Sequence, residues 1–376
     1  MAYITYPFKD LERYCNDAFQ KFGFSLEDSK IITDVLLTSD LFGIESHGFQ
    51  RLVRYYKAIQ TGRTKLGAEL EVVHETPLTA VLDGHEGMGQ TIAYKAMQMA
   101  IDKAKQHGIG IVTVRESNHF GIAGYYAKMA SDQGLIGLAS TNAEAIMVPT
   151  FGGLAMIGSN PIACAVPADP VDFLFDASTC VVTAGKLEIY NKLNEPIPEG
   201  WAIGPDGKDN TDAPYVLGNI HAKRGGGLLP LGGATEKYGS HKGYGYGMIA
   251  EIFTSILSMG LTSNYCMVGS KAGVCHGFVA IDPACFGDAE AIKKHFSTYL
   301  DEIRNSPKAE GHDRIYIHGE KEMEAYKDRM ENGIPVNENT LIEALDVCEY
   351  LGMDFSSYFG DYMPSEEMRK KFKSIW

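Results

Sequence analysis

Between residues 91 and 140 the hydrophobic period changes three times with no linker between the segments, and few folds accommodate that. Residues 91–107 read as a helix, with Gly108 just past its end. Ile109-Gly110-Ile111-Val112-Thr113-Val114 is a short, β-rich strand. A second helix runs through residue 132, and Leu135–Ser140 is the next strand. Helices and strands that alternate at this spacing bury their apolar sides against one another. The pattern therefore predicts an α/β architecture, a sheet with helical layers.

The flanks extend the pattern. Residues 8–22 read as an amphipathic helix ending near Gly23, and a second helix follows with Ser25 as N-cap and Asp28 three residues on. Glu45 to Arg51 then runs into a third helix that ends near Gly62, and residues 70–83 read as extended. The middle, 141–240, is rich in Gly and Pro and reads mostly as strands and loops. Helices are expected at 244–259, 287–304, 320–331 and 338–352, with a strand at Val274–Asp282. A chain of 376 residues holds two compact lobes or one elaborated domain.

Charge narrows the partners. Lys and Arg number 34 against 48 Asp and Glu, a formal charge of −14. That argues against nucleic acid and anionic membrane as partners, since both attract basic surfaces. The seven cysteines are odd in number and none is spaced as CxxC, which fits free thiols in a reducing compartment. No basic-apolar leader and no apolar run of membrane-spanning length stands out, so a cytoplasmic location is expected. The glycine-rich dinucleotide fingerprint GxGxxG, the P-loop, HExxH, the EF-hand and GxSxG are all missing. No metal site is expected.

Several short motifs carry chemistry. Ser46-His47-Gly48-Phe49-Gln50-Arg51 reads as a helix start that puts His47 and Arg51 four apart, on one face. Reducing a 2-oxo acid needs a proton donor at the carbonyl and a cation for the carboxylate. Histidine titrates near neutrality, and the planar arginine fork binds a carboxylate. Ser46 is placed to hydrogen-bond the imidazole. Asn118-His119-Phe120-Gly121-Ile122-Ala123-Gly124 lies between a strand and a helix, where free backbone N–H groups attract phosphate. Thr141 closes a strand with a polar group, and Asn160 offers an amide in Gly158-Ser159-Asn160-Pro161. Phe175-Asp176-Ala177-Ser178-Thr179 runs from strand into a small polar loop, and His241-Lys242 precedes the helix expected at 244–259. Taken singly, each motif also fits an ordinary cap, turn or surface loop.

Their order is more specific. Ser-His-Gly-x-x-Arg, Ser-Asn-His-Phe-Gly, Thr-Asn, Gly-x-Asn-Pro, Asp-Ala-Ser-Thr, Pro198-x-Gly200-Trp201, Leu229-Pro230-Leu231-Gly232-Gly233 and His-Lys-Gly-Tyr-Gly follow one another between Ser46 and Gly245, within a resemblance that runs from about residue 8 to 330. The chain resembles the malate/L-lactate dehydrogenase family that is distinct from the Rossmann lactate and malate dehydrogenases. Sulfolactate, ureidoglycolate and diketogulonate oxidoreductases and cyclic imino-acid reductases belong to it.

The resemblance implies a non-Rossmann mixed sheet with flanking helices, like L-sulfolactate dehydrogenase, with two lobes and a cleft. It implies an N-terminal helical and dimerisation part at 1–115 joined by C-terminal helices at 303–376, and an NAD(P)-binding domain at 116–302. The implied reaction moves a hydride between NAD(P)H and a small 2-oxo or 2-hydroxy acid. Malate/oxaloacetate with NAD is favoured, and NADP, the other acids of the family and a catalytically silent nucleotide-binding protein are the alternatives. His47 would be the acid/base with Ser46 its partner and His119 its rival. Arg51 would clamp the carboxylate, with Thr141 and Asn160 near the substrate. His119, Phe120, Gly121, Ile122, Ala123, Asp176, Ala177, Ser178, His241, Lys242, Gly319, Glu320 and Lys321 would line the cofactor. A homodimer with its site near the subunit interface is implied. The sequence departs from the family at Ala145 and His318, where proline is frequent, and at Cys180-Val181-Val182.

Overall fold

Local signals settle where the first helices stop and start. The molecule is described by a computed structural model covering residues 3–193 and 195–371. Helix α1 (Phe8–Phe22) closes on Gly23, and the Ser25 hydroxyl accepts from the Asp28 amide at the start of α2 (Leu26–Leu41). These two helices, α3 (Leu52–Gln60), and, far along the chain, α11 (Glu338–Leu351) and α12 (Ser356–Phe359) surround one core that includes Tyr14, Phe19, Leu36, Phe49 and Phe359. Strand β1 (Tyr3–Tyr6) pairs antiparallel with β11 (Ile334–Asn337) and joins the two chain ends.

A second core lies under the central sheet. Its strand order is β2 (Glu71–Glu75), β3 (Thr79–Asp83), β4 (Ile109–Ser117), β10 (Val274–Ile281), β5 (Ile136–Thr141), β6 (Ile162–Val166), β7 (Phe173–Ala177). Strands β3 and β4 are parallel, and the other neighbours are antiparallel. Such a mixed sheet is not the doubly wound parallel sheet of a dinucleotide fold, and the missing GxGxxG agrees with it. Helices α4 (Gly89–His107) and α5 (Ala123–Ser131) cover one face with alanine-rich sides. Gly110 on β4 and Gly137 on β5 let them come close, since a Cβ at either would run into a helix carbonyl, that of Ala100 or Ala127. Because β2–β4 belong to this sheet, a boundary near residue 115 passes through it.

The middle of the chain holds more helix than its composition suggests. It contributes α6 (Ala184–Leu193) and α7 (Ala213–His221), with the two-residue strands β8 (Ala202–Ile203) and β9 (Gly227–Leu228) forming a third small core with them. Helix α7 starts at an Asp212 cap followed by Pro214, a start signal masked by the surrounding glycines and prolines. Helix α8 (Ser240–Glu251) begins earlier than the spacing predicts and continues as one π-turn at Ile252–Ile256. Helices α9 (Ala289–Asn305) and α10 (Glu320–Asn332) pack at the outer edges. Residues 372–376 of the expected C-terminal part lie outside the described residues.

Candidate active site

The site is assembled where α2 ends and α3 begins. Asp40 is buried in the last turn of α2, and its carboxylate accepts the Phe49 amide at 2.6 Å. Burial pushes that carboxyl up to about 8, against the pull of the Phe49 amide and Arg329. Gly48 lies directly on the carboxylate. A Cβ there would fall inside it, so the glycine after His47 is a steric necessity.

The expected helix start at Ser46 does not form. Glu45–His47 and Phe49–Arg51 are separate 3-10 turns, broken at Gly48 where ψ is −147°. His47 and Arg51 therefore do not share an α-helical face. They converge for another reason: Arg51 Nε donates to the Ser46 carbonyl at 2.6 Å. The Ser46 hydroxyl sits 2.9 Å from His47 Nδ1, as expected. Arg51 Nη2 lies 3.7 Å from Glu188 on α6.

His119 comes from the β4–α5 loop and stacks on His47, with ring centroids 5.6 Å apart and planes 24° from parallel. Burial, together with the Arg51 and Arg54 guanidinium groups, pushes the His47 imidazole down to about 3. Burial and Arg54 likewise hold His119 well below the ordinary histidine range. Arg54 is itself pulled down to about 10 by burial and by Arg51. Two guanidinium groups, with Glu188 beside that of Arg51, thus face two imidazoles that stay neutral.

The other expected site residues divide into two groups. Thr141 and Asn160 are turned inward. The Thr141 hydroxyl lies 2.8 Å from Nδ1 of buried His276, which stacks on Phe120 at 4.5 Å. Asn160 is fully buried, its amide nitrogen donating to Glu251 (2.7 Å) and to the Gly247 carbonyl (3.1 Å). Neither side chain has a polar atom to spare for a substrate in this arrangement. Phe120, Ile122 and Ala123 are also core residues, so that segment can meet a ligand through its backbone and His119 rather than through them.

The segments expected to line a cofactor lie around β7, the last strand of the sheet. Near its end, Asp176 accepts the Gly124 amide at 2.7 Å, and Ala177 and Ser178 follow, half-buried. This carboxylate, raised to about 6 by burial, closes the N-terminus of α5, so phosphate is not met there as the loop spacing suggests. One residue past Ser178, Thr179 accepts at its carbonyl from the Leu231 amide (3.0 Å), and Leu231 packs against Gly243 of α8. There Gly239 caps the helix with no side chain accepting, and His241 and Lys242 are exposed. An uncapped helix start beside two basic side chains fits a diphosphate. At the opposite end of β7, Gly319 lies against Asp172 and Leu174. Glu320 is committed to Arg304 (2.7 Å) and Arg314 (3.1 Å), and the Lys321 ammonium lies 4.5 Å from the centre of the Tyr316 ring.

Residues 6–345 match the family model described as malate/L-lactate dehydrogenase. The chain belongs to that family. A malate dehydrogenase of Pyrococcus abyssi is 42% identical over 353 residues, 93% of this chain and 96% of that one. The L-sulfolactate dehydrogenase of Methanocaldococcus jannaschii is 36% identical over 345 residues, 91% and 96% of the two chains. The solved malate dehydrogenase of Entamoeba histolytica superimposes with a TM-score of 0.90 at 34% identity, covering 94% of this chain and 99% of that one. The protein is thus a dehydrogenase of the non-Rossmann kind, with the mixed sheet expected of it.

Some residues around His47 and Arg51 went unread in the sequence. Arg54 and Tyr55 follow Arg51 by three and four residues on α3, a spacing that was available. Glu188 was hidden because the segment carrying α6 reads as loop. Among the described residues, no group of three or more His, Cys, Asp or Glu side chains is placed to hold a metal ion.

Proposed function

We propose that this enzyme interconverts oxaloacetate and malate with NAD(H), using His47 to exchange the proton and Arg51 to hold the substrate carboxylate. The observation that supports this reading is the convergence of His47 and Arg51, tied together through Ser46 and faced by His119. The malate and sulfolactate dehydrogenases among its relatives support the choice of a small 2-hydroxy acid.

The nicotinamide cofactor, when bound, supplies or accepts the hydride at the substrate's 2-carbon. His241, Lys242 and the start of α8 would hold its diphosphate. The remaining work falls to the chain. The substrate carboxylate meets the Nη end of Arg51 and offsets the repulsion from Arg51 and Arg54 that keeps His47 neutral. His47 then takes up a proton more readily and gives it to the substrate oxygen during reduction, with Ser46 at Nδ1 fixing the ring. Orientation and charge stabilisation provide most of the acceleration.

A second copy of the chain is part of the proposal. On α8 and the π-turn after it, Met248, Ile249, Ile252, Phe253, Ile256 and Leu257 are all well exposed. They flank an apolar groove of about 310 Å³ on the sheet face opposite α4 and α5. A patch of that kind is what a homodimer covers. Seven free cysteines suit a reducing cytoplasm.

A substrate panel tests the reading. Oxaloacetate, pyruvate, sulfopyruvate and piperideine-2-carboxylate are offered with NADH and NADPH in parallel, and absorbance at the reduced nicotinamide band is followed. Oxaloacetate with NADH is expected to give the highest kcat/KM. A clear preference for another acid reassigns the substrate, and silence on all four defeats the enzyme reading.

A further inference from the structure

Two imidazoles share this pocket, and the hydrogen bonds behind them separate their tasks. His119 Nδ1 faces two groups: the Tyr55 hydroxyl at 2.8 Å and the Gly121 amide at 3.4 Å. An amide N–H can only donate. Nδ1 must therefore be the accepting nitrogen, the Tyr55 hydroxyl donates to it as well, and the single proton of a neutral ring belongs on Nε2. Tyr55 is well placed to hold that state. It is buried in the first core, its ring centroid is 5.9 Å from that of His119, and burial pushes its phenol up to about 12, so it keeps its proton. His47 is arranged differently. Its Nδ1 faces a serine hydroxyl, which can donate or accept, so that contact does not lock its tautomer.

We propose that Tyr55 is a positioning residue for the reaction: by donating to Nδ1 it holds His119 as the Nε2–H tautomer, so that His119 is a hydrogen-bond donor to the substrate oxygen while His47 alone exchanges the proton. The assignment rests on the hydride-transfer reading above. It adds a division of labour between the two histidines, and a residue behind them that enforces it. No net proton passes through Tyr55. His119 enters and leaves each turnover with the same proton on the same nitrogen, and the proton gained by the substrate oxygen comes from His47.

The test uses whole enzyme labelled with ¹⁵N-histidine, as wild type and as Tyr55→Phe. In the wild type His119 is expected to show a protonated Nε2 and a bare Nδ1, a result that needs no turnover. In Tyr55→Phe the tautomer signal becomes mixed, and kcat for oxaloacetate falls about tenfold, a modest share of what acid–base groups contribute. The KM for oxaloacetate changes less than about twofold, and the kcat–pH profile shifts. A Nδ1–H signal for His119 in the wild type overturns the inference even where the variant fails to fold. So does a folded Tyr55→Phe enzyme with unchanged kcat and pH profile. Loss of the functional reading would look different: the wild type would turn over no 2-oxo acid while its tautomer signal stood.

Discussion

Two pockets in this protein bury ionisable groups, and they do so by opposite means. Around His47, two arginines crowd together with two imidazoles that remain neutral. Around Glu251, at the end of α8, a buried carboxylate accepts five hydrogen bonds from neutral residues: Asn142 (3.2 Å), Asn160 (2.7 Å), Ser255 (2.8 Å) and both the amide (2.9 Å) and hydroxyl (2.7 Å) of Ser263. The second pocket is complete. Its donors are all used, and it fastens α8 to the end of β5 and to the loop before β10. The first sets two guanidinium groups, one of them 3.7 Å from Glu188, beside neutral imidazoles, and it is the one a substrate anion can enter in the proposed reaction.

The largest effect that would break this contrast comes from the finished pocket. Glu251→Ala leaves up to five buried donors without an acceptor, and a loss of about 3–5 kcal/mol of stability is expected in urea unfolding. A loss below about 1 kcal/mol would mean that the network fastens nothing. In the first pocket the cost should fall on binding. Arg51→Gln is expected to raise KM for oxaloacetate by about 10–100-fold, the value of a charged hydrogen bond. An unchanged KM would remove Arg51 from the substrate site.

Acid sharpens the comparison with a smaller effect. His47 and His276 titrate near 3 in the folded protein, held down by burial, and near 6.5 when unfolded. As pH falls from 6.5 toward 3, the unfolded chain takes up protons that the folded protein refuses. Stability drops by about 1.4 kcal/mol per pH unit for each imidazole. Asp40 and Asp176, raised to about 8 and 6, act in the other direction, because the folded state binds their protons first. His276→Asn should therefore lose about 2 kcal/mol less than the wild type between pH 7 and pH 5. Equal losses would contradict a neutral buried His276.

What could be read from the chain alone followed the range of the interaction. The Ser25 cap, the Gly108 stop and the β4 strand depend on neighbours in sequence and were legible. The ordered motifs pointed to His47, Arg51 and His119, and the fold brings these together. Asp176 closing α5 was not legible, because its partner Gly124 lies 52 residues away and a helix start looks open until something distant fills it. Asn160 read as an available amide for the same reason, its acceptor Glu251 being 91 residues off. Helices α6 and α7 were missed where glycine and proline on either side outweighed a local cap.

The measurement that bears most directly on the account is made on His47→Ala. NADH binding is followed by fluorescence titration, and oxaloacetate reduction by loss of NADH absorbance. The variant should bind NADH with a Kd within about twofold of the wild type and lose at least about 100-fold in kcat, the contribution of a positioned acid–base group. Turnover at the wild-type rate would show that the proton comes from elsewhere and would contradict the central assignment.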